Sequence, residues 1–137
     1  MTDSPLKVQL LLTGNEIMSG DTVDSNSAMI AQRLAEVGIG VYRKVTVGDD
    51  VELLQAELSA MIGAADLVVV NGGLGPTIDD LTAQVLAAVA GVALHQHPDA
   101  VTHLEQWCAR RNAQLNAANL KQAMLPRGAI IIDNPVG

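Results

Sequence analysis

The run Leu67-Val68-Val69-Val70, followed at once by Asn71-Gly72-Gly73-Leu74-Gly75-Pro76-Thr77, constrains the fold more than any other segment of this chain. An all-aliphatic, largely β-branched run ended by a turn signal is the pattern of a parallel strand covered on both faces, and the glycine-rich segment behind it cannot continue as helix or ladder. The same strand-then-helix order recurs upstream. Val8 to Leu12 is apolar apart from Gln9 and stops at Thr13-Gly14. Met29, Ile30, Leu34 and Val37 then recur near helical spacing behind Asp24, the expected N-cap, and Gly38 supplies the stop. Ile39 to Val47 reads as a second strand, and Asp49 or Asp50 caps a helix with Val51, Leu54, Leu58, Met61 and Ile62 on one side, ending near Gly63.

Downstream of the glycine-rich loop, Asp79 or Asp80 is expected to open an Ala-rich helix reaching about Ala90. Pro98 suits the first turn of another helix taking in Leu104, Trp107 and Cys108; Asn112 breaks it, a last helical stretch ends at Leu125-Pro126, and Ala129 to Ile132 forms a final strand. Three successive strand-then-helix units predict an α/β fold, a mostly parallel sheet with helices on both faces, in one domain over residues 1–137. Ligands of such sheets sit outside the carboxyl ends of the strands. That rule selects residues 13–24, 47–50 and 71–80.

With 8 Lys and Arg against 15 Asp and Glu, the formal net charge of −7 argues against a nucleic-acid backbone as partner. The single cysteine, Cys108, excludes an internal disulfide and fits a reducing compartment. Met1 to Leu12 lacks the basic start and cleavage site of a secretory signal, and no stretch approaches the roughly 18 apolar residues of a spanning helix. The expectation is a cytoplasmic protein without a membrane partner.

In the glycine-rich loop, Gly72, Gly73 and Gly75 remove side chains where backbone amides would approach an anion, Thr77 adds a hydroxyl donor, and the next helix turns its positive end to the same space. A phosphate or pyrophosphate would be stabilised there; the plain alternative is a strand-to-helix turn. Asp79 and Asp80 would repel a bare phosphate. They make sense if Asp79 caps the helix and Asp80 holds a divalent cation such as magnesium that bridges to phosphate oxygens. Asp49, beside the capping candidate Asp50, offers a second carboxylate. In the first loop, Glu16 is a candidate for metal or ribose and Asn26 for a base or ribose, each weighed against satisfying local backbone amides. His95 and His97 form a His-x-His pair without a spaced third ligand and read as solvated loop residues. His103 is placed on a helix surface, Cys108 in the interior, and Arg110-Arg111 at a solvated helix end. No serine has the Gly-x-Ser-x-Gly context of a hydrolase elbow.

The segments Thr13-Gly14-Asn15-Glu16 with Gly20, Asp24-Ser25-Asn26, Val47-Gly48-Asp49-Asp50 and Gly72-Gly73-Leu74-Gly75-Pro76-Thr77 with Asp79-Asp80 and Thr82 resemble the N-terminal domain of the competence/damage-inducible protein A (CinA) family. Asn119-Leu120-Lys121-Gln122-Ala123, Leu125-Pro126 and Asn134-Pro135-Val136-Gly137 continue the likeness over almost the whole chain. The family is similar to the molybdopterin-binding domain of the MogA and MoeA type, so the resemblance implies a three-layer α/β sandwich. It implies binding of a small phosphorylated nucleotide or pterin, and divalent-metal-dependent hydrolysis of ADP-ribose to AMP and ribose 5-phosphate. Asp49 and Asp80 would be the catalytic, metal-holding pair. Gly72, Gly73, Gly75, Thr77, Thr82, Gly14, Glu16, Asn26 and Lys121 would bind the ligand, Lys121 being weighed against a solvated helix lysine. The rival reading is a molybdopterin or cofactor-precursor binding domain without hydrolysis. A homo-oligomer is expected, and the family domain continues past the position of Gly137. The nicotinamide-mononucleotide deamidating domain of longer members is not implied by these residues.

Overall fold

The first strand, β1 (Val8–Thr13), is buried at all six positions, which is where a run of aliphatic residues with no polar alternation should go. A computed structural model describes residues 5–136; the start of the N-terminal segment at Met1 and the closing Gly137 of the Asn-Pro-Val-Gly motif lie outside them. After β1 come α1 (Asn15–Met18), α2 (Asn26–Glu36), β2 (Val41–Val47), α3 (Val51–Ala64) and β3 (Leu67–Asn71). Then follow α4 (Thr82–Ala90), β4 (Leu94–Gln96), α5 (Pro98–Arg110), α6 (Ala117–Lys121) and β5 (Met124–Pro126). The chain divides into two compact units, residues up to Gly73 and from Leu74 on, where the sequence reads as one domain.

The first unit is a parallel sheet in the order β2-β1-β3. The strand expected to be covered on both faces, Leu67 to Val70, is therefore at an edge of this sheet, half-buried with Leu67 exposed, and β1 is the one enclosed. Pairing order overrides aliphatic content: a strand with neighbours on both sides is buried more completely than one with a neighbour on one side. Ser25 holds the N-cap position of α2 without a side-chain cap bond, and Asp24, one residue earlier than expected of a cap, supplies it by accepting from the Ser27 amide at 2.9 Å and from its hydroxyl. The helix's inward stripe is Ser27, Ile30 and Leu34, so Met29 and Val37, two of the four apolar residues near helical spacing, stay exposed. Asp50 caps α3 through the Leu53 amide at 2.8 Å, and Leu54, Leu58 and Met61 bury at i, i+4, i+7 spacing while Ile62, one step round, does not.

Gln9 is the polar break in β1 and is almost fully buried. One extra residue, Tyr42, sits in β2 opposite the Val8–Gln9 step. The bulge brings two consecutive side chains onto the same amide: Gln9 Nε2 donates to the Tyr42 hydroxyl and its Oε1 accepts from Arg43 at 3.1 Å, with Arg43 also paired to Glu57 at 2.8 Å. A buried amide is thus satisfied at both ends.

In the second unit four expectations fail. α4 begins at Thr82 with Leu81 at its N-cap and no side-chain cap, so neither Asp79 nor Asp80 opens it. Leu125 and Pro126 end no helix; they belong to β5, which pairs antiparallel with β4. Residues 129–132 form no strand, because no described strand pairs with them, and Ile130 and Ile132 are each 89% exposed. His95 and His97 are not solvated loop residues. His95, in β4, places Nδ1 3.2 Å from the Leu125 carbonyl; His97 caps α5 by accepting from the Asp99 amide at Nδ1 and donates from Nε2 to the Ala129 carbonyl at 3.0 Å. Pro98 occupies the first turn of α5 and Cys108 is buried, both as read from sequence. No helix of the described residues is long and apolar enough to cross a membrane.

Candidate functional site

The chain leaves β1, crosses to β2 on one side, then returns past β1 to β3 on the other, so the strand order reverses between β1 and β3. Such a switch point opens a crevice beyond the carboxyl ends of the strands. Thr13, the last residue of β1, organises it. A Cβ on Gly72 would fall inside contact distance of the Thr13 carbonyl oxygen and 3.2 Å from Thr13 Cγ2, and Gly72 has φ +104°. Only glycine lets the end of β3 approach the end of β1 this closely. On the same side, Thr13 Oγ1 donates to Asp49 Oδ1 at 3.2 Å.

Asp49 follows β2 and is held from a second direction: the Asn15 amide donates to its Oδ2 at 3.2 Å, and Asn15 Oδ1 accepts from the Asp49 amide at 2.9 Å. Each carboxylate oxygen therefore has one donor and keeps acceptor capacity, and among the described residues no lysine or arginine pairs with it. Gly14 ties the two strand ends, its amide donating to the Val47 carbonyl at 3.2 Å. Asn26, at the start of α2, donates from Nδ2 to Asn71 Oδ1 at 3.2 Å, which leaves an amide donor on Asn71 and an acceptor on Asn26 at the crevice. Glu16 is exposed on α1.

The segment 74–80 in the second unit is closed on itself. Asp80 Oδ2 accepts from the Thr77 amide at 2.9 Å and the Thr77 hydroxyl at 2.7 Å, while the Asp80 amide donates to the Thr77 carbonyl at 3.2 Å, a single closed turn that stops before α4. A Cβ on Gly75 would lie 2.7 Å from the same oxygen. Partial burial pushes the Asp80 carboxyl up, but the bonds from Thr77 and the Gly75 amide, with the Lys121 charge, outweigh it and hold the group below its ordinary value. Lys121 is not a solvated helix lysine: its ammonium donates to the main-chain carbonyls of Thr77 and Asp80, the latter at 2.7 Å. Thr82, only 6% exposed, faces inward on the first turn of α4.

Of the residues selected from sequence, the first unit brings Gly14, Asn26, Asp49 and Gly72 to strand ends around the switch point. Gly75, Thr77, Asp80 and Lys121 gather in the second unit as one hydrogen-bonded turn. Thr13, Asn15 and Asn71 were missed as site residues. Position was their signal, since each is a polar residue at or within two residues of the carboxyl end of a strand. Among the described residues no three His, Cys, Asp or Glu side chains group as a metal cluster. Magnesium-like sites need only one or two protein carboxylates beside phosphate and water; by that measure Asp49, with one donor on each oxygen, fits better than Asp80, whose Oδ2 already takes two donors from Thr77 beside the Gly75 bond and the Lys121 charge.

The family model described as a probable molybdopterin binding domain matches residues 9–133. A CinA-like protein of Colwellia psychrerythraea is 60% identical over 131 residues, 96% of this chain and 30% of its own length. A protein of Shewanella oneidensis named nicotinamide-nucleotide amidohydrolase PncC is 44% identical over 132 residues, 96% of this chain and 31% of its own. The chain spans under a third of these relatives. Among solved structures, the protein CinA of Thermoplasma acidophilum superposes with a TM-score of 0.86 at 34% identity, over 96% of this chain and 77% of that one. The molybdopterin biosynthesis enzyme MoaB of Thermus thermophilus gives 0.58 at 18% identity, over 87% and 70%, a likeness of fold.

Proposed function

Because the chain belongs to the molybdopterin-binding domain family, and within it to the CinA proteins, we propose that it binds a phosphorylated nucleotide-like ligand at the β1–β3 switch point and hydrolyses the pyrophosphate of ADP-ribose to AMP and ribose 5-phosphate. The names of its relatives speak of a nucleotide hydrolase and of a pterin-binding domain, which supports a ligand of this class. The observation that carries the reading is Asp49: a carboxylate fixed from two sides at strand ends, with no cation paired to it among the described residues.

The chain carries a net charge of −7, so its overall field opposes an anionic ligand and a divalent cation would offset that repulsion. Asp49 would hold the cation; once bound, it would supply the charge that polarises a phosphoryl oxygen and makes water a better nucleophile. Thr13 and Asn15 keep the Asp49 carboxylate at one orientation. Gly72, without a side chain, lets the ends of β1 and β3 close on each other, which sets Thr13 and the Asp49 it holds at the switch point. The free amide groups of Asn26 and Asn71 offer one acceptor and one donor, a match for a ribose diol or a base edge.

Chromatographic assay of AMP from ADP-ribose, with and without added divalent metal, on protein shown by circular dichroism to be folded, tests the proposal. AMP appearing only with metal is the expected result. Folded protein that releases no AMP under either condition overturns the hydrolase. The family model favours a second reading, binding of molybdopterin or a precursor without hydrolysis, and pterin binding by a protein that makes no AMP would establish it.

A further inference from the structure

We infer that Lys121 is a positioning residue: it acts on the Gly75–Asp80 turn through the main chain and touches no ligand. Three observations carry this. The ammonium donates to the Thr77 and Asp80 carbonyls, the first and last residues of one hydrogen-bonded turn, 44 and 41 positions away in sequence. The Thr77 amide and hydroxyl are held by Asp80, and the Thr77 carbonyl accepts from the Asp80 amide at 3.2 Å, so these bonds close the turn on itself and Lys121 adds the contact from a distant part of the chain. Lys121 supplies it from the last residue of α6, a short helix fixed at its start by Asn116, which accepts from the Asn119 amide at 2.8 Å.

Two carbonyl oxygens converging on one ammonium form a small cradle of partial negative charge that a neutral side chain cannot fill. A flexible four-carbon stem with three rotatable donors meets both at once. The cation also lies near the Asp80 carboxylate and favours its ionised form. Without Lys121 the Asp80 carbonyl turns to water and the Thr77 carbonyl is left with the 3.2 Å bond from the Asp80 amide, so the turn opens more often and the Thr77 amide loses its acceptor for part of the time.

The test compares ligand-free amide exchange by NMR in the wild-type chain, Lys121→Met and Lys121→Arg. Exchange at Thr77 is expected to quicken about tenfold or more in Lys121→Met, the size set by hydrogen bonds to a charged group, while Leu54 in α3 keeps its wild-type rate; Lys121→Arg restores most of the protection. Unchanged Thr77 exchange in Lys121→Met overturns the inference, and does so most sharply if KM for ADP-ribose rises in the same variant, since Lys121 would then touch the ligand. The activity arm rests on the hydrolase reading. Should the wild type release no AMP, that reading fails and the exchange data still decide the role of Lys121. If Lys121→Met does not fold, the 15N-labelled lysine ammonium of the wild type decides it: scalar coupling to the Thr77 or Asp80 carbonyl supports the inference, and a freely exchanging ammonium without coupling overturns it.

Discussion

Asp49 and Asp80 each follow a parallel strand, each accepts from a main-chain amide and a threonine hydroxyl, and each reads from sequence as a metal-holding carboxylate. Their surroundings differ in how the negative charge is met. Asp80 takes its donors from Thr77 and Gly75, three and five residues back in the chain, with the Lys121 ammonium nearby. Asp49 takes one donor per oxygen from residues more than thirty positions away and has no cation partner among the described residues. A carboxylate whose charge is met locally holds a turn; one fixed in place with its charge unmet is prepared for an incoming cation. The pair teaches that acidity at a strand end does not by itself mark a ligand.

The largest effect is expected where the crevice is pinched. Gly72→Ala forces a Cβ against the Thr13 carbonyl and should cost about 2 to 4 kcal/mol in urea unfolding while removing ligand binding. Next, Asp49→Asn keeps an acceptor for Asn15 or Thr13 but loses the charge: AMP formation should fall on the order of a hundredfold, with stability within about 1 kcal/mol of wild type. Asp80→Asn should show the reverse balance, destabilising by about 1 to 2 kcal/mol while the folded protein keeps turnover near the wild-type level. Equal losses of turnover in the two variants would break the comparison.

The smallest effect is acid-dependent. Asp80 has its folded pKa lowered from the ordinary 3.8. Asp24 is shifted the same way: burial raises it, and the Ser27 hydroxyl and amide and the Lys44 charge outweigh that. A carboxyl lowered on folding contributes stability that is present above its unfolded value and is lost as pH falls through the folded one. The Thr77 and Ser27 amides should therefore lose exchange protection only below about pH 4, and Asp80→Asn should abolish that dependence at Thr77 alone.

The first unit was largely legible because its signals are local. Strand bounds at Val8 and Val47, the caps Asp24 and Asp50, and the spacing of Leu54, Leu58 and Met61 all act within a few residues. What sequence misplaced depends on distant partners. Leu67 to Val70 look like a central strand until the pairing order is known, Leu125 becomes a strand only by pairing with His95, and residues 129–132 have the composition of a strand without a neighbour. In the candidate site, Asp49 and Gly72 were selected from residue type and position. Thr13, which joins them, was not, since a threonine ending a strand carries no mark of a residue that donates to an aspartate 36 positions on. Lys121 was noticed for its charge; its acceptors, two backbone carbonyls, leave no trace in side-chain identity.

The central claim is that the cation site lies at Asp49 and not at Asp80. Its most direct test is manganese titration of 15N-labelled protein with AMP present, read as paramagnetic broadening of assigned amides. The account predicts that the amides of Asn15, Asp49 and Gly72 broaden first and that Asp49→Asn removes the effect. Broadening that starts at Thr77 and Asp80 and survives in Asp49→Asn would contradict it.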